Sequence, residues 1–355
     1  MMMKSFSWAI FWILTIPVLL SGVSCTRQDL PGSGVVTVSL SSGLPETRAI
    51  TADPKDGSAI YIDNSTTPPE PDLILLIFNA SGEKVTPTER KMDSLTATDI
   101  RLTFSGIQPG EYTVYALANT AGLWAMSGDP ASASITRDEM EALYFTALPT
   151  VPDPNSSTSR MPLTAKGTLS VNAAGDGDIS LSLSRPAARV VFKFENNSGH
   201  KLKLDPFSAK FKKMAPTYGY LFQHNPDVPS GEAGFNYGDL TFSANGQEIA
   251  NGTSYSQSAL VYPGLPGYPD TENYLCDISF TITEVDDGGV VLDSGHLHTF
   301  SFGDLRVHNN RGEDIKTLAR NQQLTVTAKV SMGKMLSFSF EVGDWTKHSE
   351  TVTFD

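Results

Sequence analysis

Apolar and polar residues alternate in short runs along this sequence, and nearly every run stops at a cluster of Gly, Pro, Asn or Asp. A period of two puts one face of a segment in a core and the other in water, which is the signature of a half-buried β-strand. Val36 to Leu40, Ile100 to Phe104, Tyr112 to Ala118, Gly167 to Val171, Ile179 to Leu183, Val190 to Phe194 and Lys201 to Leu204 all read this way. Leu73 to Phe78 is apolar throughout, as a central strand is. Near the C-terminus, Leu324 to Val330 and Leu336 to Val342 form an expected hairpin, and Glu350 to Phe354 a last strand. Ile278 to Val285 and Val290 to Leu292 form another hairpin around Asp286-Asp287-Gly288-Gly289. The stretch from Ala215 to Tyr237 is too rich in Pro, Gly and Asn to read as sheet.

One short helix is expected between Thr136 and Tyr144. Thr136 stands where an N-cap would, Glu139 completes a capping box, and Met140 and Leu143 share a face. So many strands with one helix predict an all-β chain of sandwich type. Its 355 residues suit two domains. The boundary is placed near residue 185, giving units 25–185 and 186–355.

The chain carries 26 basic and 39 acidic residues, a net charge of −13. That balance repels nucleic acid and anionic membrane surfaces, so neither is an expected partner. Residues 1–24 read as a targeting segment: Lys4, an apolar run from Phe6 to Leu20, then Ser21-Gly22-Val23-Ser24 before Cys25. Val23-Ser24-Cys25 resembles a lipobox, although Gly22 stands where Leu is usual. Cys25 is therefore the expected site of lipidation, the alternative being plain secretory cleavage near Ser24. Thr26 follows instead of Asp, so the inner-membrane retention signal is absent and an outer-membrane or surface location is expected. The other cysteine, Cys276, lies in an apolar strand and reads as a buried thiol.

No motif for catalysis or a cofactor emerges. Gly-x-Ser-x-Gly, a P-loop and a dinucleotide fingerprint are all missing from the sequence. His296 and His298 share a strand face but have no third ligand nearby in sequence, so no metal site is assigned. Asp176-Gly177-Asp178 and the Asp286 turn lack calcium-loop spacing and read as hairpin turns. Trp124, Tyr262, Tyr268 and Tyr274 offer an aromatic glycan platform or, more simply, core packing beside the helix. A glycosidase carboxylate pair needs no short motif and stays open.

Several spaced signatures together resemble the fimbrillin superfamily, the type V pilus subunits of Bacteroidales-type bacteria. They are the Val36–Leu40 strand before Glu46-Thr47-Arg48-Ala49, the Leu73–Phe78 run ending at Asn79-Ala80-Ser81-Gly82, and Pro109-Gly110-Glu111-Tyr112. Arg185-Pro186-Ala187-Ala188-Arg189, Ala319-Arg320-Asn321-Gln322-Gln323 and Gly343-Asp344-Trp345 complete the set. The resemblance implies two tandem transthyretin-like β-sandwich domains and export as a lipoprotein. It implies cleavage between Arg48 and Ala49 in subunits that polymerise, releasing the strand 35–40. A C-terminal donor segment within 336–355, with Val352 and Phe354 filling pockets, would then replace that strand in a neighbouring subunit. The implied partners are other fimbrial subunits, in a homo- or hetero-polymer, and the outer membrane through the lipid, with a host receptor or glycan as a further possibility. No catalytic residue and no cofactor are implied. The rival reading is a monomeric surface lipoprotein that binds glycan or host protein through its loops. Asp93-Ser94-Leu95 also resembles the O-glycosylation acceptor pattern of these bacteria.

Overall fold

Strands form where the alternation demands them, and a computed structural model shows how they assemble. It describes residues 34–42, 57–120, 124–150, 160–222, 237–264, 274–292, 298–308, 311–332 and 336–344. The first half runs β1 (Val35–Ser41), β2 (Ile62–Asp63), β3 (Glu70–Pro71), β4 (Leu73–Asn79), β5 (Glu89–Leu95), β6 (Asp99–Ser105) and β7 (Gly110–Ala118). After these come α1 (Arg137–Ala142), β8 (Tyr144–Phe145), β9 (Leu163–Val171) and β10 (Gly177–Ser182). A sheet ordered β10-β1-β6-β5 faces a second ordered β4-β7-β9, while β2 and β3 form a small ribbon. The inward residues of both sheets, among them Val38, Leu102, Val114, Leu169 and Leu181, make one core.

The second half runs β11 (Ala188–Asn197), β12 (Lys201–Pro216), β13 (Gly219–Tyr220), β14 (Tyr237–Ala244) and β15 (Gln247–Ile249). It continues through β16 (Ser254–Val261), β17 (Leu275–Val285), β18 (His298–Arg306), β19 (Gln322–Ser331) and β20 (Leu336–Asp344). Its sheets are ordered β16-β11-β19-β20 and β14-β12-β17-β18, with β15 on β12. Phe192, Phe194, Phe211, Phe280 and Val326 lie in the core between them. Among the described residues the chain is thus all-β with one short helix.

The helix forms for the reason its sequence suggests. The Glu139 amide donates to Thr136 Oγ1 at 3.3 Å and the Thr136 amide to Glu139 Oε2 at 2.8 Å. Met140 and Leu143 are buried against Trp124 and Phe145 in a third cluster. That cluster joins the two halves, because Ala187, Leu260 and Tyr262 pack into it from the second.

The architecture corrects several expectations. Strands flanking the Gly175 turn are not a hairpin: β9 pairs with β7 and β10 with β1, in opposite sheets. Leu169 and Leu181 both face the core, so the chain crosses between layers there. Gly167 permits the close approach, since a Cβ at that position would lie 2.6 Å from Leu181 Cδ2. The expected hairpin at 290–292 is reduced to a single antiparallel Val285–Val291 bridge, and the 275–282 part of β17 pairs with β18. The strand expected at Lys201–Leu204 continues as β12 past Pro206, where the ladder shifts register between Leu204 and Phe207. Within the stretch expected to be irregular, Gly219 and Tyr220 pair with Phe145 and Tyr144 across the halves.

Candidate functional site

β1 is the strand that the fimbrillin resemblance implies is released, and the structure shows how it is held. Its Val36, Val38 and Leu40 point inward and are 0%, 0% and 1% exposed. Burying three such side chains contributes roughly 5–9 kcal/mol at about 1.5–3 kcal/mol each. Both of its edges are filled. β10 lies parallel on one side, from Val36 opposite Gly177 to Ser41 opposite Ser182. β6 lies antiparallel on the other, from Val35 opposite Ser105 to Ser41 opposite Asp99. Taking β1 away leaves a slot walled by Ile100, Leu102 and Phe104 and by Ile179 and Leu181, with unpaired backbone on both sides. A strand replacing it in the same direction would run parallel to β10 and antiparallel to β6.

Both ends of β1 are tied. The Val35 amide donates to Asp176 Oδ1 at 2.9 Å. Gly34 packs so closely on the Gly175 turn that a Cβ there would lie 2.3 Å from Gly175 C. At the far end the Leu183 amide donates to Ser41 O at 2.7 Å and the Ser42 amide to Thr98 O at 3.0 Å. Sequence reasoning took Asp176 as a turn residue only. Its second role, as the acceptor that fixes the start of β1, depends on a partner 141 positions away and leaves no local signal.

The flanking candidates frame this strand. Cys25, Arg48 and Ala49 lie outside the described residues, as do Val352 and Phe354. In sequence, Cys25 precedes Val35 by ten positions, a reach of at most about 35 Å. Of the expected donor segment 336–355, the part up to Asp344 is β20, paired residue by residue with β19 at the edge of its own sheet. Phe340 is buried there, while Leu336, Phe338 and Val342 pack half-buried against the second core.

The other candidates separate cleanly. Trp124, Tyr262 and Tyr274 are interior: Trp124 packs edge-on against Phe145 at 4.9 Å and Tyr262 at 6.0 Å. The Tyr262 hydroxyl donates to Ala147 O and that of Tyr274 to Gly264 O, so these three form no aromatic platform at the surface. Tyr268 lies outside the described residues. Cys276 is fully buried, and burial first, then the charge of Asp277, pushes its thiol up to about 12. His298 sits half-buried on β18 opposite Ile282, and His296 is outside the described residues. Among the described residues no three His, Cys, Asp or Glu side chains are grouped to hold a metal. Ser94 is exposed on β5, beside a bulge at Asp93.

Two arginines whose motifs the sequence singled out, without a role, pin the halves together. Arg185 is 2% exposed and its Nη1 donates to Asn321 Oδ1 at 2.7 Å. Arg320 donates to Thr164 Oγ1 at 3.3 Å and to the carbonyls of Tyr220 and Leu221.

Comparison with known proteins then gives a context. The family model described as "Fimbrillin-A associated anchor proteins Mfa1 and Mfa2" matches residues 64–351. No curated protein matches the chain. Among solved structures, a candidate cell adhesion protein from Parabacteroides distasonis is 16% identical, with a TM-score of 0.49, covering 89% of this chain and 98% of that one. A fimbrilin (FimA) from Porphyromonas gingivalis is 11% identical, with a TM-score of 0.49 and coverage of 89% and 98%. The tip fimbrial protein Mfa3 of Porphyromonas gingivalis, truncated at its C-terminus, is 11% identical, with a TM-score of 0.45 and coverage of 88% and 99%.

Proposed function

Because this chain belongs to the family of fimbrillin-A associated anchor proteins, we propose that it is a cell-surface fimbrial subunit, held at the outer membrane by a lipid on Cys25 and joined to other subunits by exchange at the β1 slot. Its role is structural and adhesive rather than catalytic. The reading takes the two sandwiches, divided near residue 185, as its two working parts: the first accepts a strand and the second donates one.

The observation that carries it is the position of β1. A strand buried on one face and paired on both edges belongs to the core, yet it is the first of the described strands, and its chain connection to the others runs through the segment after Ser42. One cut in that segment frees it. Arg48 and Ala49 supply the bond, and the Pro45 and Pro54 around them suit a segment open to a protease. Backbone ladders would give an incoming strand its affinity, and alternate side chains such as Val352 and Phe354 its fit. β20, which precedes those residues, is an edge strand bonded on one side only, so it can leave its sheet without breaking a core ladder on both sides.

The same bond decides the mode of attachment. Cys25 and β1 both precede Arg48, so cleavage removes the lipid together with the strand. An uncut copy keeps its anchor and its filled slot and holds the base of a fimbria. A cut copy loses both and enters the polymer. Purified, unlipidated protein treated with an arginine-specific protease tests this by mass spectrometry and size-exclusion chromatography. A single cut after Arg48 followed by heat-resistant oligomers is the expected result for a polymerising subunit. Resistance at Arg48 together with a donor tail that fills another subunit's slot marks an anchor. A cut product that stays monomeric and takes up no strand overturns exchange at β1.

A further inference from the structure

Four of the six large apolar side chains exposed among the described residues lie at one end of the second sandwich. They are Val290 at 65%, Val291 at 43%, Leu292 at 53% and Met332 at 75%. The ladders fix that end: Asn197 pairs with Ser331 and Lys201 with Val285, and a three-residue turn joins Asn197 to Lys201. The turns after β17 and β19 therefore project from one pole. The opposite pole, where β11 and β19 begin, meets the first sandwich through Arg185 and Asn321.

The apolar tripeptide is held out on an ordered turn. The Val290 amide donates to Asp286 Oδ1 at 2.7 Å, the Gly289 amide to Asp286 O at 3.0 Å and the Leu292 amide to Glu284 O at 3.0 Å. The described charged residues of this turn, Glu284, Asp286 and Asp287, are all acidic.

The first sandwich has a surface of the opposite character. An open cleft lies between the facing edges of β4 and β5, walled by Leu75, Ile77, Val85 and Phe104. Its only charged lining residues are Lys84 and Arg90; Glu70 acts on Arg90 from outside that lining. Phe104 pairs with Val36 at the start of β1, so the cleft lies toward the pole farthest from the second sandwich. A basic cleft is unusual on a chain with 13 more acidic than basic residues.

We propose that the Val290–Leu292 turn of one copy seats in the β4–β5 cleft of a second copy, with its acidic neighbours meeting Lys84 and Arg90. Turn and cleft lie at opposite ends of one chain, so the contact is heterologous and repeats head to tail rather than closing a dimer. It rests on the fimbrial reading for its purpose and owes nothing to strand exchange for its contacts. An anchored copy would present its turn away from the membrane, because the Cys25 tether joins the molecule at the start of β1.

Cross-linking of the full-length chain on cells tests it, with Val291→Cys and Arg90→Cys combined and a mild oxidant applied. Non-reducing gels should show a ladder several-fold stronger than either single variant gives, and reductant should collapse it. Thr86→Cys in place of Arg90→Cys guards against a variant that misfolds. Asp287→Lys should weaken the ladder and Lys84→Glu should restore it. Cross-links no stronger than in the single variants, from either cleft position, overturn the contact. If heat-resistant oligomers of the chain, with itself or with another subunit, still form in those cells, only this contact falls; if neither kind forms, the fimbrial reading falls with it.

Discussion

Lys212 on β12 reaches Asp277 on β17 at 2.9 Å and Asp304 on β18 at 2.7 Å, bridging three strands on the outer face of the second sandwich. The Asp304 amide, then Lys212, hold the Asp277 carboxyl below the usual carboxylate range. Lys210 and the Lys213 amide do the same for Asp239. A carboxyl depressed in the folded state binds fewer protons there than in the unfolded chain. The stability it lends is fully present above the unfolded value of about 3.9 and is lost as pH falls through the folded value. The melting temperature should therefore fall as pH drops below about 4, and Asp277→Asn should flatten that fall. Equal acid slopes in the two proteins would remove Asp277 from the explanation. Asn119 makes a different case. It is fully buried with φ of 60°, its Nδ2 donates to Ala59 O at 2.8 Å and Met161 O at 3.0 Å, and its Oδ1 accepts from the Tyr61 amide. Asn119→Ala orphans three backbone groups and should cost at least about 1–3 kcal/mol in urea unfolding.

At the level of the strand, β1 is tightly packed, and the proposed exchange requires that it also be replaceable. Leu40→Ala leaves a cavity between Ile100 and Leu181 and should destabilise the chain by about 2–5 kcal/mol, read from the denaturant midpoint. The same variant holds β1 less firmly, so a synthetic peptide of sequence 33–42 should enter the slot of Arg48-cleaved protein sooner than in the parent. Labelled peptide retained on gel filtration reports this. Edge strands show a complementary logic. β5, β14, β16 and β18, none of which the sequence reading found, all lie at the edge of their sheets. An edge strand covers little core and gains from polar side chains that discourage pairing with strangers, so its alternation is weak. Glu89-Arg90-Lys91 of β5 is such a case, exposed along its length.

For the whole molecule, the shared cluster of Trp124, Phe145, Leu221 and Tyr262 makes the two sandwiches one packed body. Under the proposed strand exchange at the first sandwich, the second is carried along with it. Membrane attachment should depend on one atom: Cys25→Ala should move the chain from the membrane fraction to the soluble fraction. Arg48→Ala should keep every copy in the membrane fraction. Fractionation of cells expressing each variant reads both outcomes, and a soluble Arg48→Ala protein would separate the lipid from the strand.

Sequence alone determined the all-β class, the helix with its Thr136–Glu139 box and the central strands. Each of these is written in local periodicity or in a short motif, where neighbours a few residues apart decide the conformation. Cys25 and Arg48 are expectations of the same local kind, and they lie outside the described residues. Tertiary structure decided which strands are neighbours. The parallel pairing of β1 with β10 joins residues about 140 positions apart, and no local pattern encodes a ladder partner at that distance. The placing of β9 and β10 in opposite sheets, the tie from Asp176 to Val35 and the hold of Arg185 on Asn321 follow from the same cause. Alternation tells a strand which face is dry, and only the packed sandwich tells it what lies against that face.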